Sequence, residues 1–229
     1  MLLLEGTKNP YFIALFLVVF LGIFIFGIFF NKKAIILREM RKSKAKPIGS
    51  VRNGEYVKII GKALHVKEPL IAPISGRQCI FYHTEVIHGS GKNRKTIIDE
   101  LRTQDFFIEQ NGEMVMVKMD QANRFRKIHL VQDHQFNTGI FGEKKEHLEK
   151  YLQRNGESST YWIGLKKDLS YREGIIELNE IVAVKGIAEW KTLKEPIEGF
   201  RYSKILNLKG SKEKKLLITD HKSALKDPK

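Results

Sequence analysis

The stretch His88-Gly89-Ser90-Gly91-Lys92 has the composition of a phosphate-cradling loop, in which glycine amides and a lysine would surround a nucleotide's phosphates. A Walker A loop would need glycine where Val86 stands and Ser or Thr where Asn93 stands. Both defining positions fail, so residues 89–95 read as a solvated basic hairpin. Seven histidines, His65, His83, His88, His129, His134, His147 and His221, show no HExxH spacing and have a single cysteine for company, which assembles no zinc site. Cys79 and His83 lie four residues apart on one face of a predicted strand, a spacing that would let an imidazole activate a thiolate. Ile80, Phe81 and Tyr82 surround them with core-type side chains, so Cys79 reads as an inert small hydrophobe. Ser158, Ser159 and Ser170 have no nucleophile-elbow context, and no two carboxylates sit at informative spacing in an apolar surround. The aromatics Phe106, Phe107, Tyr161, Trp162, Trp190 and Phe200 are assigned to core and sheet packing, because basic residues are not interleaved with them. The expectation is no catalytic residue, no metal and no cofactor.

The elements that would carry these residues divide into two materials. Residues 11–30 contain no charge, and at ~1.5 Å per residue they span about 30 Å, the thickness of a bilayer's hydrocarbon core. They are expected to form a transmembrane helix after an extracytoplasmic tail over residues 1–10. A cleaved signal fits less well, since its apolar core is shorter and ends at small residues, whereas this run ends Phe29-Phe30-Asn31-Lys32. One basic residue, Lys8, precedes the run. Seven follow it in a basic juxtamembrane neck over residues 31–47: Lys32, Lys33, Arg38, Arg41, Lys42, Lys44 and Lys46. That asymmetry predicts a single-pass protein with its N-terminus outside and its domain cytoplasmic, with the seven side chains against lipid head groups; the location expected for it is a bacterial inner membrane. The total charge of +14 implies an anionic neighbour, with anionic lipid as the candidate and no nucleic acid required. The neck is expected to continue the membrane helix as far as Pro47. Phe12, Phe16, Phe20 and Phe24 recur every four residues and would line one face for homo-oligomer formation.

From residue 48 to 220 short β-branched runs alternate with turn residues, which predicts a mainly β (α+β) domain: a curved, barrel-like sheet with one helix over residues 143–154. Residues 105–119 read as a hairpin turned by Asn111-Gly112, and residues 209–211 as the turn of a second one, followed by a solvated Lys-rich tail over residues 221–229. EYVKIIGKA (residues 55–63) and EIVAVKGIA (residues 180–188) share Glu, Val, Gly and Ala in register, and each is followed by Lys-Glu-Pro, at Lys67 and Lys194. Gly61 and Gly186 in matching mid-strand places predict two equivalent strands curving around one core.

The stretch APISGRQCIFY (residues 72–82), after Gly61 and Pro69-Leu70, is similar to the GIDE-type domain that lies beside membranes in the mitochondrial RING ubiquitin ligase family and its bacterial relatives. FFIEQNGEMVMV (residues 106–117) and YREGIIELNEIVAVKG (residues 171–186) resemble two further segments of that family, with Gln110 where Asp is usual. The resemblance covers residues 48–220, and Gly61, Pro69, Pro73, Gly76, Cys79, Tyr82, Gly112, Glu173, Glu180 and Gly186 carry it as structural positions. It implies ubiquitin transfer, which in that family depends on a C-terminal RING with about eight Cys/His zinc ligands. One cysteine is present, so no RING is expected. The reading is a membrane-anchored, non-catalytic binding or scaffold module with an unidentified protein partner. Ubiquitin-ligase activity by resemblance and a membrane-perturbing effector are the alternatives.

Overall fold

The computed structural model describes residues 10–29, 31–119, 123–137, 146–193 and 203–227. Residues 194–202, with the second Lys-Glu-Pro and Phe200, and the first three residues of the expected helix over 143–154 lie outside them. Helix α1 (Pro10–Phe29) begins on proline, whose missing N–H is harmless at a helix start. Its described side chains from Tyr11 to Ile23 stand largely exposed, and Phe16 and Phe20 stack at 6.4 Å between ring centroids. Among the described residues no helix is long and apolar enough to cross a membrane. The expected transmembrane helix over residues 11–30 is therefore corrected. The single-pass topology, outside N-terminus, cytoplasmic domain and inner-membrane location go with it, because each presupposed that span.

Helix α2 (Lys32–Arg41) is not a continuation of α1. Asn31 is extended and its Oδ1 accepts the Ala34 amide at 2.7 Å, which caps a new helix N-terminus. Ile36, Leu37 and Met40 then fall on one face and pack against Ala183, Leu217 and Ala224. Ala45 makes a parallel bridge to Lys58, and Lys46 N–H donates to Lys58 O at 3.0 Å. The basic segment is thus docked along the β domain. Ala224, inside the tail expected to be solvated, is fully buried under α2.

Strands β1 (Tyr56–His65), β2 (Leu70–Ile71), β3 (Gln78–His88), β4 (Lys95–Thr103), β5 (Phe106–Gln110) and β6 (Glu113–Val117) precede helix α3 (Glu146–Arg154) together with β7 (Arg126–His129) and β8 (His134–Asn137). After α3 come β9 (Leu169–Glu177), β10 (Ile181–Thr192), β11 (Lys204–Lys209) and β12 (Leu216–Thr219). In the larger sheet β1 pairs β5, β5 pairs β6, β6 pairs β11, β11 pairs β10, and β10 returns to β1, closing a five-stranded ring. Its one parallel step, β6 to β11, makes it a Greek-key barrel of the OB type. The β5–β6 hairpin turns on Asn111 and Gly112, both at positive φ (53° and 83°), as a two-residue turn of matching twist requires. The second expected hairpin does not form. β11 and β12 lie one after the other along β10, each antiparallel to it, and β12 continues to β7.

The internal repeat has a structural meaning. β1 and β10 pair antiparallel with Gly61 opposite Val182 and Gly186 opposite Val57, so the two segments are related by a local two-fold centred on Ile59 and Val184. The relation extends into the preceding turns. Arg52 N–H donates to Glu55 Oε2 at 3.1 Å, as Glu177 N–H donates to Glu180 Oε2 at 2.9 Å. Gly54 and Asn179 occupy matching places at φ 79° and 66°. Gly54 N–H and Asn179 N–H reach Ala188 O and Ala63 O, each at 2.8 Å.

The smaller sheet is built from two insertions into the barrel chain. β3 carries β2 and β4 along one edge and β9 along the other, and β8 pairs the far edge of β9. Leu148, Tyr151 and Leu152 of α3 pack on Val86, Ile98, Leu169 and Tyr171, covering one face. Ile80, Phe81 and Ile176 join the barrel core and fix this sheet to it.

A Cβ on Gly61 would collide with the Glu109 carbonyl oxygen and lie 2.6 Å from Ile108 Cγ2, whereas one on Gly186 would chiefly meet the movable tip of Leu216 at 2.9 Å. Gly61→Ala is expected to lower the urea unfolding free energy by about 2–3 kcal/mol and Gly186→Ala by about half that. Equal losses would contradict the asymmetry.

Candidate functional site

The residues that the sequence singles out are dispersed, and each is committed to a local task. Glu173 is fully buried and accepts N–H bonds from Ile74 at 2.8 Å and Ser75 at 3.1 Å. The turn over residues 72–77 needs Gly76 at φ 71° to fold over it, and Gly76 N–H closes on Ala72 O at 2.9 Å. Pro69 and Pro73 flank the short β2, and Gly112 N–H donates to Glu109 Oε1 at 2.7 Å. Tyr82 donates its hydroxyl to Glu100 at 3.0 Å, which also receives Arg154 at 2.9 Å and so ties α3 to the sheet.

Cys79 and His83 form no dyad. A register shift between Cys79 and Phe81 breaks the alternation that would have put them on one face. Cys79 is fully buried, its Sγ 3.6 Å from Leu70 O, and burial followed by the nearby Glu173 charge pushes the thiol up to about 12. His83 bonds Asp99 at 2.7 Å on the surface. His147 sits 3.2 Å from Ile74 O, and the rings of His129 and His221 lie 6.1 Å apart between centroids, tilted by 35°, both held below the usual imidazole range by burial first and then by Lys33. Among the described residues no group of three His, Cys, Asp or Glu could hold a metal ion. Lys32, Lys33, Arg38, Arg41, Lys42, Lys44 and Lys46 are exposed on and after α2, with Lys42 paired to Glu39 at 2.7 Å and Lys46 to Glu55.

The two carboxylates related by the local two-fold differ in environment. Lys46 hydrogen-bonds Glu55 and holds it below the usual carboxylate range. Glu180 is raised to about 7, by burial first, its Glu177 N–H bond opposing, and then by the charges of Asp220, Asp133 and Glu177. Asp220, whose two oxygens both accept Val131 N–H at 2.8 and 3.0 Å, is raised to about 6, again by burial first.

A different region has the geometry of a binding site. At the far end of the smaller sheet, on the face opposite α3, Gln135 and Asn137 of β8 lie across from Arg172 and Ser170 of β9. With Gly89, Ser90, Gly91, Arg94 and Asp168 they line a cleft of about 200 Å³. Gly89 and Gly91 adopt φ 81° and 56°, and Gly89 N–H is bound to Asp168 O at 2.8 Å. The glycine-rich stretch is therefore the floor of a pocket as well as a hairpin end. Arg172 Nε is buried and has no hydrogen-bond partner among the described residues, although Glu85 lies directly across the strand pair.

Beside the cleft a tight hairpin projects into solvent. Thr160 bridges Lys166, Tyr161 N–H donates to Leu165 O at 2.7 Å, and Gly164 at φ 81° makes the turn. Trp162 at its tip is 97% exposed, and Ile163 and Leu165 are also exposed. Tyr161 and Trp162 are thus not core residues, which corrects the packing assignment. The signal available in YWIGLKK was a Gly inside an apolar run flanked by Lys166 and Lys167. The Tyr161 hydroxyl lies 2.9 Å from His88 Nε2, locking the hairpin to the loop that forms the cleft.

No family model, curated protein or solved structure matches the chain, so the resemblance to the GIDE-type domain gains no support and no activity is carried over from it.

Folding takes up a proton at Glu180 between its unfolded value of 4.5 and about 7, so this group destabilises the fold progressively as pH rises through that window. Glu180→Gln is expected to exceed the wild-type unfolding free energy by about 1–2 kcal/mol at pH 8, with the gap closing near pH 4.5. A pH-independent gap in urea titrations would contradict this.

Proposed function

We propose that the chain is a non-catalytic binding module that holds a protein partner on the open end of its smaller sheet. The observation that carries this reading is Trp162, an almost wholly exposed indole at the tip of a hairpin fixed by its own bridge and by the Tyr161 to His88 contact. Large aromatics are costly to leave in water and are enriched at the centres of protein interfaces. Ile163 and Leu165 extend the apolar contact, and Lys92, Arg94 and Lys95, all exposed on the neighbouring loop, give it a basic rim. Candidate nucleophiles and acids elsewhere support the same reading, because Cys79 and Glu173 are buried and engaged by the backbone.

Trp162→Ala and Leu165→Ser remove contact area at exposed positions, so each is expected to leave the unfolding free energy within about 0.5 kcal/mol of wild type. Photo-crosslinking from position 163 in native cells is expected to give a discrete adduct that Trp162→Ala reduces about tenfold or more. Undiminished adduct yield in that variant would overturn the reading.

A further inference from the structure

We infer that the cleft between the glycine loop and β9 binds a phosphate monoester borne on an extended segment of a partner protein, which adds to the sheet along β8. This deepens the proposed function by naming the chemistry of the ligand, and rests on it only for the hairpin's share of the contact.

The cleft is anion-selective in its donors. Arg94 and Arg172 both line it, and neither forms an ion pair among the described residues. Arg172 Nε is moreover buried and without a partner among the described residues, a state that costs free energy unless a ligand completes it. The positive-φ glycines keep side chains off the floor, so the loop backbone can approach a ligand closely, and the Ser90 hydroxyl adds a donor. Asp168 lines the same cleft and Glu85 lies across from Arg172; with Lys92 and Lys95 on the loop, cations still outnumber these two carboxylates. Two arginines with a hydroxyl donor match the acceptor oxygens of a phosphate monoester.

Size and topology indicate what carries the phosphate. A cleft of about 200 Å³ falls below the ~300–1,000 Å³ that encloses a drug-sized molecule, so it accepts a head group whose remainder lies outside. Two features flank it. One is the apolar hairpin tip. The other is β8, which pairs β9 on one side and, among the described residues, has nothing on the other. Gln135 and Asn137, which line the cleft, belong to that edge strand, so a peptide strand laid along β8 would bring a side chain directly to the pocket. A bilayer offers no backbone to pair with such an edge.

Calorimetric titration of the full chain with a Val/Thr-rich phosphoserine peptide, its unphosphorylated twin and phosphatidic-acid vesicles tests this. The phosphopeptide is expected to bind about tenfold or more tightly than its twin, with inorganic phosphate competing, and Arg94→Gln and Arg172→Gln are each expected to erase most of that preference. Arg94 is exposed, so its variant separates lost binding from lost folding. Equal affinity for the two peptides, an undiminished preference in Arg94→Gln, or binding confined to vesicles would overturn the inference. Phosphate preference that survives Trp162→Ala upholds the cleft even where the hairpin reading fails.

Discussion

The antiparallel pairing of β1 with β10 through Ile59 and Val184 is the contact on which the other elements depend. Its two strands supply both ends of the barrel ring, since the free edge of β1 receives β5 and the free edge of β10 receives β11 and β12 in succession. Inward, Val57, Ile59, Val182 and Val184 are fully or almost fully buried in the main core. Outward, Lys58 and Lys185 stand opposite each other, both buried, and burial is the first cause lowering both amines. Each ammonium is met by a main-chain carbonyl from an added segment: Lys185 by Glu39 O at 3.1 Å in the last turns of α2, Lys58 by Lys226 O at 3.0 Å. A cation at a helix C-terminus also opposes the helix dipole favourably. The strand pair that closes the barrel therefore also holds α2 and the C-terminal segment.

The smaller sheet follows from that frame. Its strands leave and re-enter the barrel chain between β1 and β5 and between β6 and β10, and the clasp of Glu173 over residues 74 and 75 fixes its near end. With the near end packed on the barrel and one face under α3, the surface left open is the far end, where the cleft and the Trp162 hairpin sit side by side. Buried carboxylates and the buried thiol serve the frame, and where it ends stand the exposed indole of Trp162 and an Arg172 that makes no ion pair among the described residues.

Periodicity and turn chemistry made much of the barrel legible. Alternation about Asn111-Gly112 specifies the β5–β6 hairpin, and the shared Glu, Val, Gly and Ala of the two repeats specify equivalent strands, because each glycine marks a close approach. What periodicity cannot convey is pairing between distant strands, so residues 209–211 suggested a hairpin where β10 instead recruits β11 and β12 separately. The uncharged run over residues 11–30 suggested a span and a continuous helix, but Asn31 capping and the apolar face of α2 redirect the chain onto the barrel. In the cleft, the spacing of the glycine loop fails the Walker A pattern, and Arg172 and Ser170 reach that loop through sheet register from some eighty residues away. Trp162 stands outside although an aromatic in a β-rich chain is usually core, because the tight turn at Gly164 places it at the tip of a projecting hairpin.

The central claim, that this molecule acts by capturing a partner segment at the open end of its smaller sheet, is tested most directly by a hydrogen-exchange footprint of the full chain with the phosphoserine peptide bound. New protection confined to residues 89–94, 134–137 and 160–166 is the predicted result, since the loop amides, the outer edge of β8 and the hairpin would all be covered. Protection on the barrel wall or α2, with those three segments exchanging as in the free chain, would contradict it.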